Sequence, residues 1–67
     1  MKIKARNAFQ RIRIQKGFSI TALARVMDVS SSVVFNIEQY KNVRPVTANK
    51  ACKALNETFE TLFTIED

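Results

Sequence analysis

The sequence predicts an all-α fold: a compact bundle of five short helices, built as one domain over residues 1–67. Three observations predict it. Apolar residues recur at steps of three and four along most of the chain, residues that favour helix starts precede these stretches, and only one glycine and one proline interrupt the pattern. A chain of 67 residues has no room for a second hydrophobic core.

The first helix is predicted over residues 5–16 and the second over residues 19–27. Gly17 ends the first, because glycine readily adopts the backbone conformations that follow a helix. Ser19 caps the second, since a serine oxygen accepts a hydrogen bond from first-turn N–H groups. The apolar stripes consist of Ala5, Ala8, Phe9 and Ile12 in the first helix and Leu23, Ala24 and Met27 in the second.

A third helix is predicted over residues 30–40, after a connection of only two residues. Ser30 is its expected cap, and Val34 and Ile37 lie three apart on its buried face. Residues 33–35 are β-formers and on propensity alone would also suit a strand. The preceding cap and the apolar spacing favour the helix.

The fourth and fifth helices are predicted over residues 45–55 and 58–63. Proline is well suited to the first turn of a helix, which places Pro45 at the start of the fourth. Thr58 is the expected cap of the fifth. The shared apolar faces are Ala48, Ala51, Cys52 and Leu55 in the fourth helix and Phe59, Leu62 and Phe63 in the fifth.

Charge is divided unevenly along the chain. Residues 1–55 contain all eleven Lys and Arg and two acidic residues, a net charge of +9, whereas residues 56–67 have a net charge of −4. A basic body with a short acidic end favours a polyanionic partner, although a merely solvated basic surface has the same composition. The acidic end consists of Glu57, Glu60, Glu66 and Asp67.

The composition also argues against several classes of function. Cys52 is the only cysteine and histidine is absent, so we expect neither an internal disulfide nor a zinc site, and Cys52 is interpreted as a small buried apolar group. No cluster of acid, base and nucleophile suggests an enzyme, and no cofactor is expected. Without an apolar run of membrane-spanning length or a signal-peptide core, the chain is expected to be cytoplasmic.

Several short runs, taken in their order and spacing, resemble one known family. They are Arg13-Ile14-Gln15-Lys16-Gly17-Phe18-Ser19, Leu23-Ala24, Val29-Ser30, Ile37-Glu38, Ala54-Leu55 and Phe59-Glu60-Thr61-Leu62-Phe63. Together they are similar to the Cro/repressor-type helix-turn-helix family, also called XRE-like, over nearly the whole chain. The resemblance implies a lambda-repressor-like bundle whose second and third helices bind double-stranded DNA, with the third in the major groove.

The resemblance assigns candidate contacts. The residues expected to face the bases are Ser31, Ser32, Val33, Phe35 and Asn36. The residues expected near phosphates are Ser19, Ser30, Lys41 and Arg44, together with main-chain N–H groups at helix starts.

Arg13 and Glu38 are expected to form a structural ion pair. In the family, an arginine and a glutamate at these positions pair between the first and third helices. The sequence agrees, because Arg13 lies beside Ile12 and Glu38 beside Ile37, so each charge borders an apolar stripe. A partly buried charge in such a position needs an opposite partner.

The sequence also departs from the family pattern. Ile20 replaces a glutamine that often contacts phosphate, and the third helix contains no Arg, Lys or Gln before Gln39. Specificity is therefore expected to depend on A·T pairs, read by Asn36 and the serines, and on DNA shape. Tyr40 replaces the glycine that usually ends the third helix, so this helix is expected to run on or to close differently.

These observations predict a sequence-specific transcriptional regulator, a repressor of the compact type found in phages and mobile elements and encoded by a bacterium or phage. If it binds DNA as a homodimer, the expected contact surface is the fifth helix with the tail. The alternative is a protein-interaction module that modulates another regulatory protein. In that case Ile20, Val33 and Phe35 would form an apolar contact face.

Overall fold

The computed structural model describes residues 1–67 and contains five helices and one two-stranded sheet. The elements in chain order are β1 (Lys2–Ala5), α1 (Ala8–Gln15), α2 (Ile20–Met27), α3 (Ser31–Glu38), α4 (Pro45–Leu55), α5 (Phe59–Leu62) and β2 (Phe63–Glu66). Five helices were predicted in this order. The prediction of an all-α fold was wrong, because the two ends of the chain form strands.

Most helix boundaries are close to those predicted. α4 has the predicted limits, and residues 33–35 are helical rather than extended. Ser19, Ser30 and Thr58 each take the N-cap position of the following helix, with extended backbone angles. The clear error is at the start of α1, which begins three residues later than predicted because Ala5 pairs in β1.

β1 and β2 are antiparallel, with Ile3 opposite Ile65 and Ala5 opposite Phe63. Alternate residues of a strand point to opposite faces, and here Ile3, Ala5 and Phe63 are buried against the helices. Phe63, which was predicted to end the fifth helix, therefore begins β2 instead. The predicted tail is a strand that closes the bundle against the N-terminus.

The loop between α3 and α4 is attached to β1. The N–H of Val43 donates a hydrogen bond of 2.8 Å to the carbonyl oxygen of Ile3, and the Val43 side chain is buried. The same strand thus pairs with β2 on one edge and with this loop on the other. The connection of residues 39–44 is therefore held to β1 close to the start of α4.

The hydrophobic core lies between the helices and the inner face of the hairpin. The Phe63 ring contacts Phe9 and Phe59, with ring centroids 5.7 and 5.6 Å apart. Cys52 is half-buried beside this core, and burial, followed by the charge of Glu60, raises the pKa of its thiol. The buried apolar residues are Ile3, Ala5, Phe9, Ile12, Leu23, Ala24, Met27, Val34, Ile37, Val43, Ala48, Ala51, Leu55, Leu62 and Phe63.

Arg13 of α1 and Glu38 of α3 form a buried bidentate ion pair. Arg13 Nε and Nη2 donate to Glu38 Oε2 and Oε1, the second bond measuring 3.1 Å. Arg13 Nη1 donates a third hydrogen bond, of 2.7 Å, to the carbonyl oxygen of Phe18. The side chains of Arg13 and Glu38 are only 8% and 5% exposed, so water stabilises neither charge well. Each charge is stabilised mainly by its pairing with the other.

No single helix is long and apolar enough to cross a membrane. α2 and α3 taken together reach the length and apolar composition of a membrane span, but the chain bends by 115° between them.

Val34 and Phe35 are adjacent in α3 but differ completely in burial, with exposures of 0% and 51%. We predict that Val34→Ala lowers the free energy of unfolding by at least about 1 kcal/mol, because it leaves a cavity in the core. Phe35→Ala, the matched control on the exposed face, should change it by less than about 0.5 kcal/mol. Urea denaturation followed by circular dichroism measures both, and a larger loss at Phe35 would contradict the rotation of α3.

The Arg13–Glu38 ion pair leads to a second prediction, which urea denaturation also tests. Arg13→Ala and Glu38→Ala should each destabilise the fold by about 3–5 kcal/mol, because each leaves an unpaired buried charge. The double variant should lose less than the sum of the two single losses, since the second substitution removes the charge that the first left unpaired. Additive losses would show that the two side chains do not interact.

Candidate nucleic-acid interface

α2 and α3 are joined by a tight turn of three residues. Asp28 ends α2 in the left-handed conformation (φ 60°, ψ 46°) and donates its N–H to carbonyl oxygens of the preceding turn. Val29 then packs partly against the core, and Ser30 begins the next helix. The helix direction changes by 115° across this turn, within the range of about 90–120° typical of a helix-turn-helix unit.

The first turns of α3 present polar side chains to solvent. Ser31, Ser32 and Asn36 are exposed, whereas Val33 is half-buried. Ser32 shares a hydrogen bond of 2.9 Å with Ser30, but Ser31 and the Asn36 amide make no side-chain hydrogen bond within the protein. The donors and acceptors of Asn36 are therefore free to bind a ligand.

The three apolar residues expected on this side of the molecule differ in exposure. Ile20 and Val33 are half-buried and pack against the core, so they are partly accounted for by the fold. Phe35 is 51% exposed. The structure therefore does not bring the three together as a fully exposed apolar face.

The helix starts carry unsatisfied main-chain N–H groups. Ser19 Oγ accepts a hydrogen bond of 3.0 Å from the Ala22 N–H in α2, and its own hydroxyl hydrogen remains available to donate. The caps of α3 and α4, Ser30 and Arg44, make no such side-chain bond. None of the three helices has an acidic residue in its first turn, so each start has a partial positive charge without a local counter-charge.

A groove of about 440 Å³ separates α3 from α4 and is called here the α3–α4 groove. Half of its lining is apolar: Val29, Val33, Ile37, Val43 and Val46. Asn36 enters it from α3 and Arg44 from the loop. The other polar lining residues are Asn42, Thr47 and Lys50.

A second groove, of about 350 Å³, lies between α2 and α3 and is called the α2–α3 groove. Ser31 lines it from α3, and Thr21, Arg25 and Asp28 line it from the α2 side. The exposed face of α3 is thus flanked by Arg25 on one side and by Arg44 on the other.

Some basic residues are engaged within the fold. Arg6 Nε donates to the carbonyl oxygens of Glu60 and Phe63, and Lys4 and Lys16 form ion pairs with acidic residues near the C-terminus. Together with Arg13, these residues account for four of the eleven basic side chains. Seven make no ion pair or side-chain hydrogen bond: Lys2, Arg11, Arg25, Lys41, Arg44, Lys50 and Lys53.

Comparison with models of known protein families shows which family of helix-turn-helix proteins this chain resembles. The model of the Cro/C1-type HTH DNA-binding domain matches residues 8–67. The chain belongs to this family. No curated protein matches the chain significantly.

The unpaired basic residues of this Cro/C1-type domain can be compared with those that the sequence predicted near phosphates. The sequence predicted Lys41 and Arg44 near phosphates, and both are exposed and unpaired. Arg25 and Lys50, which line the two grooves, were not among the predicted residues, because each belongs to a helix whose pattern explains only its buried face. Their relation to α3 depends on packing between helices, for which the sequence has no local signal.

The end of α3 also differs from the expectation. α3 does not run on: it ends at Glu38, and Tyr40 adopts the left-handed conformation (φ 62°) in place of the usual glycine. This conformation is unfavourable for a residue with a Cβ atom. The Tyr40 hydroxyl donates a hydrogen bond of 2.9 Å to Asn7 Oδ1 at the start of α1, which compensates part of that cost.

Proposed function

We propose that this Cro/C1-type domain is a sequence-specific transcriptional regulator that binds double-stranded DNA. α3 enters the major groove with its first turns on the base edges, and α2 crosses the DNA backbone. The observation that carries the proposal is the exposed polar face of α3, flanked by unpaired Arg25 and Arg44. Base-reading groups thus lie between cations that can bind phosphates on either side.

The exposed residues define what such a face can read. Asn36 has a free amide, and an amide makes two hydrogen bonds to adenine through N6 and N7. Ser31 and Ser32 bond to several bases, and the Phe35 ring suits the methyl group of thymine. Since no arginine lies on this face to read guanine, the proposed preference is for A·T pairs and for deformable DNA.

Phosphates are bound beside this face. Lys41 and Arg44 supply full positive charges, and the Ser19 hydroxyl and the uncapped N–H groups of α3 and α4 supply hydrogen-bond donors. Ser30 contributes through its main chain, because its hydroxyl already bonds to Ser32. These contacts fix the register of the protein on DNA without reading sequence.

Binding of this kind supports repression, since a domain seated in the major groove of a promoter blocks access to it. We propose a repressor of the compact type found in phages and mobile elements, acting in the cytoplasm. The small size and net positive charge of the domain are consistent with this function.

The phosphate contacts are tested through their salt dependence. Lys41→Ala and Arg44→Ala should weaken binding to all duplexes alike and reduce the slope of log affinity against log salt by about one per lost contact. Arg11→Ala is the matched control, because Arg11 is also exposed and unpaired but lies on α1, outside the helix-turn-helix unit and the loop that follows α3. Titration of labelled duplexes at several salt concentrations measures the slopes, and an equal reduction in all three variants would contradict the assignment.

Asn36 should affect specificity instead. Asn36→Ala should cost about 1–3 kcal/mol on the preferred site and little on random DNA, because one base pair is no longer read. Asn49→Ala removes the same group from the exposed side of α4 and should change neither affinity. Selection from a random duplex pool supplies the preferred site, and an unchanged preference in Asn36→Ala would remove this residue from the base contacts.

A second candidate function, binding of another regulatory protein through the same face, is favoured by one observation: the large exposed ring of Phe35. In this case Phe35→Ala should abolish binding of the protein partner, and salt should have little effect, because apolar anchors dominate such interfaces. A folded sample that binds no duplex at low salt would overturn the DNA proposal and favour this one.

A further inference from the structure

A third groove, of about 260 Å³, lies between the last turn of α2 and α4 and is called the α2–α4 groove. It is lined by Val26 and Met27 from α2 and by Lys50, Lys53 and Ala54 from α4. Of these residues, only Lys50 also lines one of the two grooves beside the exposed face of α3. The α2–α4 groove thus lies largely outside the surface proposed to bind DNA.

Apolar side chains are exposed on both sides of this groove. Val46, Lys50 and Ala54 follow one another at steps of four in α4, so their side chains lie in one row along the helix. Val46, at the start of the row, is 60% exposed, and Val26, on the α2 side of the groove, is 57% exposed. The surface therefore offers apolar area to a partner as well as charge.

Both helices that form the groove are basic. α2 contains Arg25, α4 contains Lys50 and Lys53, and neither helix contains an acidic residue. These three side chains make no ion pair within the protein. The acidic residues that follow the two helices lie elsewhere, since Asp28 lines the α2–α3 groove and Glu57 forms an ion pair at the end of α1. The positive charge of the groove is thus available to an acidic partner.

We propose that the α2–α4 groove binds an amphipathic α-helix of another protein, with Asp or Glu residues on both sides of its apolar face. An apolar side chain of this helix enters the groove and contacts Val26 and Ala54, and its carboxylates bind Lys50 and Lys53. Such helices are recognised in grooves through apolar residues at steps of three and four. Since these contacts do not use the exposed face of α3, the partner binds the domain both free and on DNA.

Two other kinds of occupant match the groove less well. Pockets for small molecules generally enclose about 300–1,000 Å³, so this groove is small for a metabolite but suits one anchoring side chain. Nucleic acid would bind the lysines through its phosphates, but phosphates supply charge and would leave Val26 without an apolar partner. An acidic amphipathic helix matches both parts of the surface. The row from Val46 to Ala54 is about 12 Å long, which corresponds to roughly two turns of such a helix.

The first experiment uses a fluorescently labelled synthetic peptide of about 18 residues, or five helical turns, with leucines along one face and glutamates on both flanks. One control peptide has lysine at every glutamate position. The other has the same residues in an order that spreads the leucines around the helix. Fluorescence anisotropy with the full chain, without DNA, measures binding. We expect the acidic amphipathic peptide to bind at least about tenfold more tightly than either control. Equal affinity for either control, or no saturable binding, would overturn the proposal.

Variants of the protein locate the peptide on the surface. Val26→Asp and Lys53→Glu should each weaken its binding by at least about tenfold, because each sets a carboxylate against those of the peptide. The matched controls are Ile14→Asp, a similarly exposed apolar residue on α1, and Lys41→Glu, an exposed and unpaired lysine after α3. Neither control should have an effect at physiological salt, which screens charges more than about 8 Å apart. An effect of Lys41→Glu as large as that of Lys53→Glu would place the peptide on the surface proposed for DNA and refute the assignment.

A final titration separates this site from DNA binding. The labelled peptide should still bind when the domain is saturated with duplex, and Val26→Asp should leave the affinity for duplex unchanged, because Val26 lines neither groove beside α3. Displacement of the peptide by duplex would contradict a separate site. If the domain binds no duplex, the DNA proposal fails, and the peptide titrations without DNA still support or overturn binding at the α2–α4 groove.

Discussion

The helix-turn-helix geometry depends on the guanidinium of Arg13. Its two bonds to Glu38 hold the C-terminal turn of α3, and its bond to the Phe18 carbonyl holds the segment that leads into α2. One side chain of α1 therefore fixes the start of one helix of the helix-turn-helix unit and the end of the other. Arginine is suited to this position, since its planar group makes several directed bonds and remains charged.

A buried ion pair adds less to stability than its geometry suggests, because both charges must first lose water. It also favours this arrangement of α1 and α3, since a packing that kept Glu38 buried but moved it away from Arg13 would leave a charge without a partner. Tyr40 acts beside it. Its left-handed conformation, two residues after Glu38, prevents α3 from continuing. Its hydroxyl donates a hydrogen bond to Asn7 at the start of α1. Two contacts to α1 thus bracket the end of α3.

Much of this architecture is encoded in local patterns. The spacing of Val34 and Ile37 predicted the rotation of α3, with Phe35 outward, and the serine caps placed the starts of α2 and α3. The ion pair was predictable because a charge beside an apolar stripe needs a partner. The exposure of Ser31 and Asn36 followed from the same rotation.

The hairpin was not predicted, and the reason is physical. Ala5 lies three residues before Ala8 and Phe63 four after Phe59, so both fit a helical stripe as well as a strand. Each strand has only four residues, and neither is stable without the other, which lies at the opposite end of the chain. A short strand that depends on so distant a partner has a weak local signal. Arg25 and Lys50 were missed for a related reason, since grooves between helices are tertiary features.

The hairpin also supports the surface proposed for DNA binding. Ile3 lies opposite Ile65 on one side, and its carbonyl holds Val43 on the other. Val43 in turn immediately precedes Arg44, the cap of α4 and a proposed phosphate contact. β1 is thus paired with β2 on one edge and bonded to the loop before α4 on the other. The pairing of the two chain ends therefore helps to set the position from which Arg44 begins α4.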